Sequence, residues 1–314
     1  MTTAKSIPTV QITEEAAARR KSRRKTMEKI WLVVLQILLT VFLISFLVPA
    51  LWMVSSSLKA STEVFAHPIV WIPESPQWSN YLRIFDILPF TKFMWNSVLV
   101  VVFAVTGTLF CSVLVGYSFA RLRWPGRDFF FGILIATLML PEIITLVPRF
   151  IIFRELGWID TLLPLIVPYW FGATPWTPLY IFLMRQFFIG IPMELEEAAF
   201  IDGASRLRTL VQIMLPLSKP VLATVAVFAT LQHYTDFMNP LIYISSVDNW
   251  TLALGIAGLN ADESYRASWE LVFAAGTFMT LPVIVLFIFA QRYFVQGITT
   301  VSYTHLRAHE TTSH

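Results

Sequence analysis

The chain has 314 residues, of which 56% are hydrophobic and 14% charged, against roughly 45 to 50% and about 25% in an ordinary soluble domain. That balance describes a polytopic membrane protein and excludes a soluble globular enzyme. The formal charge is +3 and Cys111 is the only cysteine, so neither a disulfide framework nor a Cys-based metal site can form within the chain.

Residues 1–29 form a basic tail in which Arg19, Arg20, Lys21, Arg23, Arg24 and Lys25 crowd together. Next to an apolar run, such a cluster reads as a topology anchor touching anionic membrane lipid, not as a nucleic-acid site. Six apolar stretches follow, at 30–53, 95–119, 129–146, 162–184, 220–244 and 271–290. Each reaches about the 17 to 25 residues that a bilayer core demands of a helix. The first is longer than the 7 to 15 or so apolar residues of a signal peptide, and five more follow it, so it is expected to stay attached. Residues 54–94 form the longest loop between spans, with Pro68, Pro73 and Pro76 beside Trp71 and Trp78. The fourth stretch is the least regular, because Pro164, Pro168, Pro175 and Pro178 remove backbone donors and crowd the preceding turn.

Between the fourth and fifth stretches, residues 186–219 carry charge in an amphipathic pattern. Pro192 suits the first position of a helix, and Glu194, Glu196 and Glu197 then fall near the positive end of its dipole. Gly203 can end that helix in the left-handed conformation. Ser205 can cap a second helix, in which Leu207, Leu210, Val211, Met214 and Leu215 share one apolar face and Pro216 closes the run. Periodicity alone fits either a helix lying in the lipid interface or a loop built to dock on another protein.

Lys and Arg decide the orientation. With the N-terminus inside, only Lys59, Arg83, Lys92, Arg149, Arg154 and Arg266 of the 23 Lys and Arg lie outside. Both termini and the 186–219 loop are therefore expected to be cytoplasmic. The polar stretch 301–314 shows no spanning or packing pattern, and a disordered or non-native tail is expected there. His305, His309 and His314 fall within it, but their spacing is no basis for a metal site.

Within the membrane, Gln232, Asp236 and Asn239 are spaced to share one face of a continuous fifth helix. At about 1.5 Å per residue from Pro220, Asp236 would lie roughly 24 Å along, in the outer half of the bilayer. An ionisable group there faces the bundle interior or water, so the set reads either as a wall of a solute pathway or as a packing and gating element. Tyr169, Trp170 and Trp176 in the broken fourth stretch are further candidates, since sugars stack on aromatic rings, although interfacial or core packing also explains them. Glu142 is a second intramembrane carboxylate with no evident partner. The chain lacks a Gly-x-x-x-x-Gly-Lys loop and any clustered catalytic set.

The spacing Glu197-Ala198-Ala199, Gly203, Ile213 and Leu215-Pro216 resembles the cytoplasmic "EAA" coupling loop of permease subunits from binding-protein-dependent ABC importers. Further blocks resemble the carbohydrate, maltose-type branch in order: 96–124, 140–161, 236–241, 251–254 and 291–297. The similarity extends over about 95–297. It implies an all-α polytopic membrane protein with six transmembrane helices, the type I ABC importer permease fold, occupying residues 30–300. It further implies a bacterial inner-membrane location, a second permease subunit forming a heterodimer, two ABC ATPase subunits and an extracytoplasmic solute-binding protein. By resemblance Glu197, Ala198, Ala199, Asp202, Gly203, Leu215 and Pro216 form the coupling loop, and Gln232, Asp236, Asn239, Tyr169 and Trp170 are candidates for a sugar pathway. ATP and Mg would be held by the partner ATPase, with no cofactor or metal on this chain. Rival readings are an importer of another solute, such as glycerol phosphate, a polyamine or a peptide, an ion-coupled secondary carrier, and a membrane-embedded enzyme.

Overall fold

A computed structural model describes residues 9–261 and 268–310, and among them the regular structure is helical, with no strand. In chain order the helices are α1 (Thr9–Ser57), α2 (Asn80–Ile87), α3 (Phe90–Arg121), α4 (Arg127–Thr137), α5 (Glu142–Glu155), α6 (Leu163–Trp170) and α7 (Thr177–Gly190). They continue as α8 (Met193–Ile201), α9 (Arg206–Thr209), a π-helical turn (Leu210–Met214), α10 (Leu215–Leu217), α11 (Lys219–Tyr234), α12 (Met238–Tyr243), α13 (Leu252–Ala261) and α14 (Trp269–Glu310).

Helix α3 is the mast of the bundle. Its Phe90 and Phe93 pack with Ile84 of α2, Leu252 and Leu259 of α13 and Leu271 of α14. Further along, Val113 and Tyr117 join Tyr180, Met184 and Phe188 of α7 and Val225 and Ala229 of α11. Helices come this close only where side chains are small. At Gly107 a Cβ would lie 2.5 Å from the Trp170 ring, so α6 rests its indole directly on the α3 backbone.

Among the described residues, three helices are long and apolar enough to cross a membrane: Met27–Ser57, Phe90–Arg121 and Trp269–Gln291. Counting each of two bent pairs as one span gives up to five: Arg127–Thr137 with Glu142–Glu155 at 99° and Arg206–Leu217 with Lys219–Tyr234 at 79°. The expected fourth stretch is divided at 171–176 into α6 and α7, as its prolines and Gly172 dictate. The expected fifth is not continuous either, because α11 ends at Tyr234 and α12 begins at Met238. All of residues 30–51 are exposed on α1, and this apolar surface is at home among lipid chains or other apolar helices.

Distant segments are tied at the ends of these helices by polar side chains. Asp160, at φ 62°, accepts from the backbone N–H groups of Ser245 at 3.0 Å and Ser246 at 2.7 Å, and from the Ser246 hydroxyl. Asn96 donates to the carbonyls of Asp248 and Trp250, both at 2.9 Å, and the Leu252 N–H donates to Ser97 Oγ at 2.7 Å. Helix α14 is described as far as Glu310. Residues 311–314, with His314, and the stretch before α14 that holds Arg266 lie outside the described residues.

Candidate functional site

Helix α8 is built and ended by local chemistry. Pro192 stands one place earlier than expected, as the N-cap with ψ 137°, and its extended backbone turns the chain into a helix that starts at Met193. Gly203 has φ +79°, the Gly203 N–H donates to the Phe200 carbonyl at 3.1 Å, and the Ala204 N–H donates to the Ala199 carbonyl at 2.9 Å. These two bonds make a complete Schellman ending. Ser205 then caps α9, its hydroxyl accepting from the Arg208 N–H at 3.3 Å.

The second helix is less regular than its periodicity suggests. Pro216 offers no N–H and its ring would crowd the carbonyl four residues earlier. The chain widens into the π turn just before it, where the Leu215 N–H bonds back to the Leu210 carbonyl. Pro216 therefore lies inside α10 and the helix bends after it, at Ser218. Of the expected apolar face, Leu210 and Met214 are buried, Leu215 is half-buried, and Leu207 and Val211 face outward.

Helix α8 has two faces. Glu197, Ala198, Asp202 and Gly203 are exposed with Leu195 and Phe200, and Ile201 is 86% exposed. Ala199 and Glu196 are buried. Glu196 meets Arg121, the last residue of α3, with Oε1 3.4 Å from Nε and side chains only 5% and 4% exposed. The same guanidinium donates to the Phe188 carbonyl at 2.5 Å, to the Ile191 carbonyl and to the Met193 sulfur. One side chain thus joins α3, the end of α7 and α8. Burial holds the Glu196 carboxyl above the ordinary carboxylate range, with Arg121 and Arg206 pulling it partly back. Sequence reasoning placed Glu196 only at the helix dipole; its spacing of three from Ala199, on the inward face, was the available signal.

The pathway candidates do not form one helical face. Gln232 accepts from the Tyr180 hydroxyl at 2.8 Å, which binds α11 to α7. Asp236 lies in the break after α11, one place before the Phe237 N-cap of α12, and accepts from the Asn239 N–H at 3.1 Å and the Asn239 amide at 2.8 Å. A carboxylate that can satisfy free N–H groups at a helix start competes with continuation of the preceding helix, which separates Gln232 from the other two. Tyr169 is buried edge-on against His233, with ring centroids 4.2 Å apart. Trp170 packs on Gly107 and Phe110. Glu142 does have a partner. Arg149, expected in an outer loop, lies two turns further along α5 and reaches it at 3.2 Å. Between the α4–α5 bend and the α6–α7 break lies a cavity of about 320 Å³, lined by Thr137, Thr145, Arg149, Thr174 and the backbone around Gly172 and Ala173.

The family profile described as the binding-protein-dependent transport system inner membrane component matches residues 112–300. The chain is 32% identical to the sulfoquinovosyl glycerol transport system permease protein SmoH of Agrobacterium fabrum, over 80% of this chain and 86% of that one. It is 33% identical to the arabinooligosaccharides transport system permease protein AraQ of Halalkalibacterium halodurans, over 80% and 88%. Among solved structures, a chain of a bacterial ABC transporter that imports the acidic polysaccharide alginate superposes with TM-score 0.74, 25% identity, and coverage of 85% of this chain and 97% of that one.

Proposed function

The chain belongs to the inner membrane components of binding-protein-dependent transport systems, and on that premise we propose that it is one half of the pathway of an ATP-driven sugar importer. Six crossings, with α6 and α7 together as the fourth, place α8 and both termini in the cytoplasm, in accord with the distribution of Lys and Arg. A second permease subunit completes the pathway. Two ATPase subunits hold ATP and Mg, and an extracytoplasmic binding protein delivers the sugar.

The observation that carries this reading is the two-faced α8. Its outer face, Glu197, Ala198, Asp202 and Ile201, is open for an ATPase to grip, and its inner face is tied through Glu196 and Arg121 to the mast. Closure of the ATPase pair moves α8, and the buried ion pair passes that displacement to α3 and α7. Helices α4 to α7 surround the cavity at Arg149 and Thr174, and their broken geometry lets it open to one side or the other. Sugar bound there finds threonine oxygens and the guanidinium of Arg149, itself paired with Glu142, while Asp236, Asn239 and Gln232 hold the neighbouring helix ends.

The test is reconstitution of the full complex in vesicles, with uptake and ATP hydrolysis measured together and the ligand of the co-purified binding protein identified by mass spectrometry. Binding-protein-stimulated hydrolysis with uptake of a saccharide is expected. A non-sugar ligand would overturn the substrate class, and uptake without ATP would overturn the mechanism.

A further inference from the structure

At the junction of α3 and α4 a cavity of about 430 Å³ is lined by Arg123, Trp124, Gly126, Arg127, Asp128 and Phe129. Arg123 is exposed and makes no hydrogen bond or ion pair among the described residues. Arg127 is half-buried; its Nε lies 3.1 Å from Asp128 Oδ1, and one terminal nitrogen lies 3.5 Å from the Leu122 carbonyl. Asp128 thus offsets one of the two guanidinium charges and leaves that of Arg123 unopposed. Arg185, stacked on Phe131 at 4.0 Å, adds a further positive charge nearby.

The wall above this cavity is of the opposite character. Helix α4 has no buried residue, and Phe129, Phe130 and Ile133 on its first two turns are exposed. In a protein that spans a membrane, an exposed apolar helix face lies against acyl chains, and the arginines directly before it lie at the level of headgroups. The side chain of Trp124, against Phe119 and Phe130 with ring centroids 5.5 and 5.9 Å away, marks the same boundary. Guanidinium, indole and apolar helix follow one another as phosphate, glycerol and acyl chain do in a phospholipid.

We propose that this cavity binds the phosphate of an anionic phospholipid, with Arg123 as the principal donor, Arg127 as the second, and an acyl chain lying along Phe129, Phe130 and Ile133. Basic pockets beside membrane helices hold anionic headgroups in this way, each basic side chain contributing about 1 kcal/mol near the surface. The proposal rests on membrane insertion alone and is independent of the role given to α8. Inorganic phosphate offers the same oxygens without the chain, and the apolar α4 face argues for the lipid.

Native mass spectrometry of the full-length chain, released from neutral detergent and titrated separately with phosphatidylglycerol, phosphatidylcholine and inorganic phosphate, tests this. Phosphatidylglycerol should be retained at least about fivefold more tightly than phosphatidylcholine, the factor that corresponds to one such contact. Arg123→Gln should abolish that preference. Because Arg123 is exposed and makes no hydrogen bond or ion pair among the described residues, its removal should leave the unfolding temperature in phosphatidylcholine unchanged. Equal retention of the two lipids, or an undiminished preference in Arg123→Gln, would overturn the site. Inorganic phosphate binding as tightly as phosphatidylglycerol would overturn its assignment to a lipid.

Discussion

Arg121 and Glu196, 75 positions apart in sequence, form a buried ion pair at the point where α3 meets α8. The two partners are not equivalent. Arg121 also satisfies the carbonyls of Phe188 and Ile191 at the end of α7, whereas Glu196 has a carboxylate held in an apolar setting. Removing Arg121 strands a buried carboxylate and two carbonyls, and breaking such a pair costs about 3 to 5 kcal/mol. Glu196→Gln keeps an acceptor for Arg121 and removes the desolvation penalty. Arg121→Ala should therefore lower the unfolding temperature of the purified complex far more than Glu196→Gln, and comparable losses would show that the guanidinium has no role beyond the pair.

The same pair sets a pH dependence. A carboxyl whose folded pKa is raised binds its proton more tightly in the folded state, so the folded chain gains stability as pH falls from above that raised value toward the ordinary carboxylate value. Wild type should gain relative to Glu196→Gln on mild acidification, as followed by thermal unfolding. Parallel curves would show that Glu196 has an ordinary pKa.

Asp236 now has a defined local task, and its variants separate structure from transport. Asp236→Asn keeps an oxygen that can accept from the Asn239 N–H, while Asp236→Ala loses that bond to the first turn of α12, a loss on the scale of a missing helix cap, about 0.5 to 2 kcal/mol. Asp236→Asn should assemble normally and change uptake, whereas Asp236→Ala should also reduce the yield of intact complex. Unchanged uptake in Asp236→Asn with assembly lost only in Asp236→Ala would confine this carboxylate to holding the first turn of α12.

What could be read from sequence was what is decided within a few residues. The left-handed Gly203, the Ser205 cap, the proline-broken fourth stretch and the all-helical class are local or compositional, and each is present in the fold. The π turn before Pro216 was hidden because apolar periodicity does not distinguish a five-residue turn from a four-residue one. Tertiary pairs were beyond reach for another reason. Arg121 with Glu196, and Asp160 with Ser245 and Ser246, join distant segments that only the packed bundle brings together. The shared face of Gln232, Asp236 and Asn239 failed because it assumed a helix that Asp236 helps to interrupt.

Asp160 provides a test of the tie between the turn before α6 and the segment before α13. Hydrogen bonds from Ser246 and Ser245 hold its carboxyl below the usual range. The stability it contributes is present above the ordinary carboxylate pKa and is lost as pH falls through the lowered folded value. Asp160→Ala removes the acceptors and leaves a β-carbon in a left-handed backbone. Amide hydrogen exchange at Ser245 and Ser246 should accelerate in that variant at neutral pH, and wild-type rates there would show that the segment is held by other contacts.

Gly203 bears on the coupling loop as a whole. Its φ of +79° closes the Schellman ending of α8, and a side chain there costs about 1 to 2 kcal/mol in a left-handed backbone. A Cβ on Gly203 would meet no atom of this chain within 4 Å, so within the chain the penalty is conformational, and any obstruction comes from a partner seated on α8. Three variants separate these effects. Gly203→Asn tolerates the left-handed region at small cost and adds bulk; Gly203→Ala adds little bulk; Gly203→Val adds bulk and disfavours the backbone. All three should insert in the membrane. If an ATPase seats closely on this turn, uptake and binding-protein-stimulated hydrolysis should fall in Gly203→Asn as well as in Gly203→Val, with Gly203→Ala less affected. If only the ending of α8 matters, Gly203→Asn should work nearly as wild type while Gly203→Val fails. Normal coupling in Gly203→Val would remove this loop from the transmission path and leave the tie between Arg121 and Glu196 as a purely structural joint.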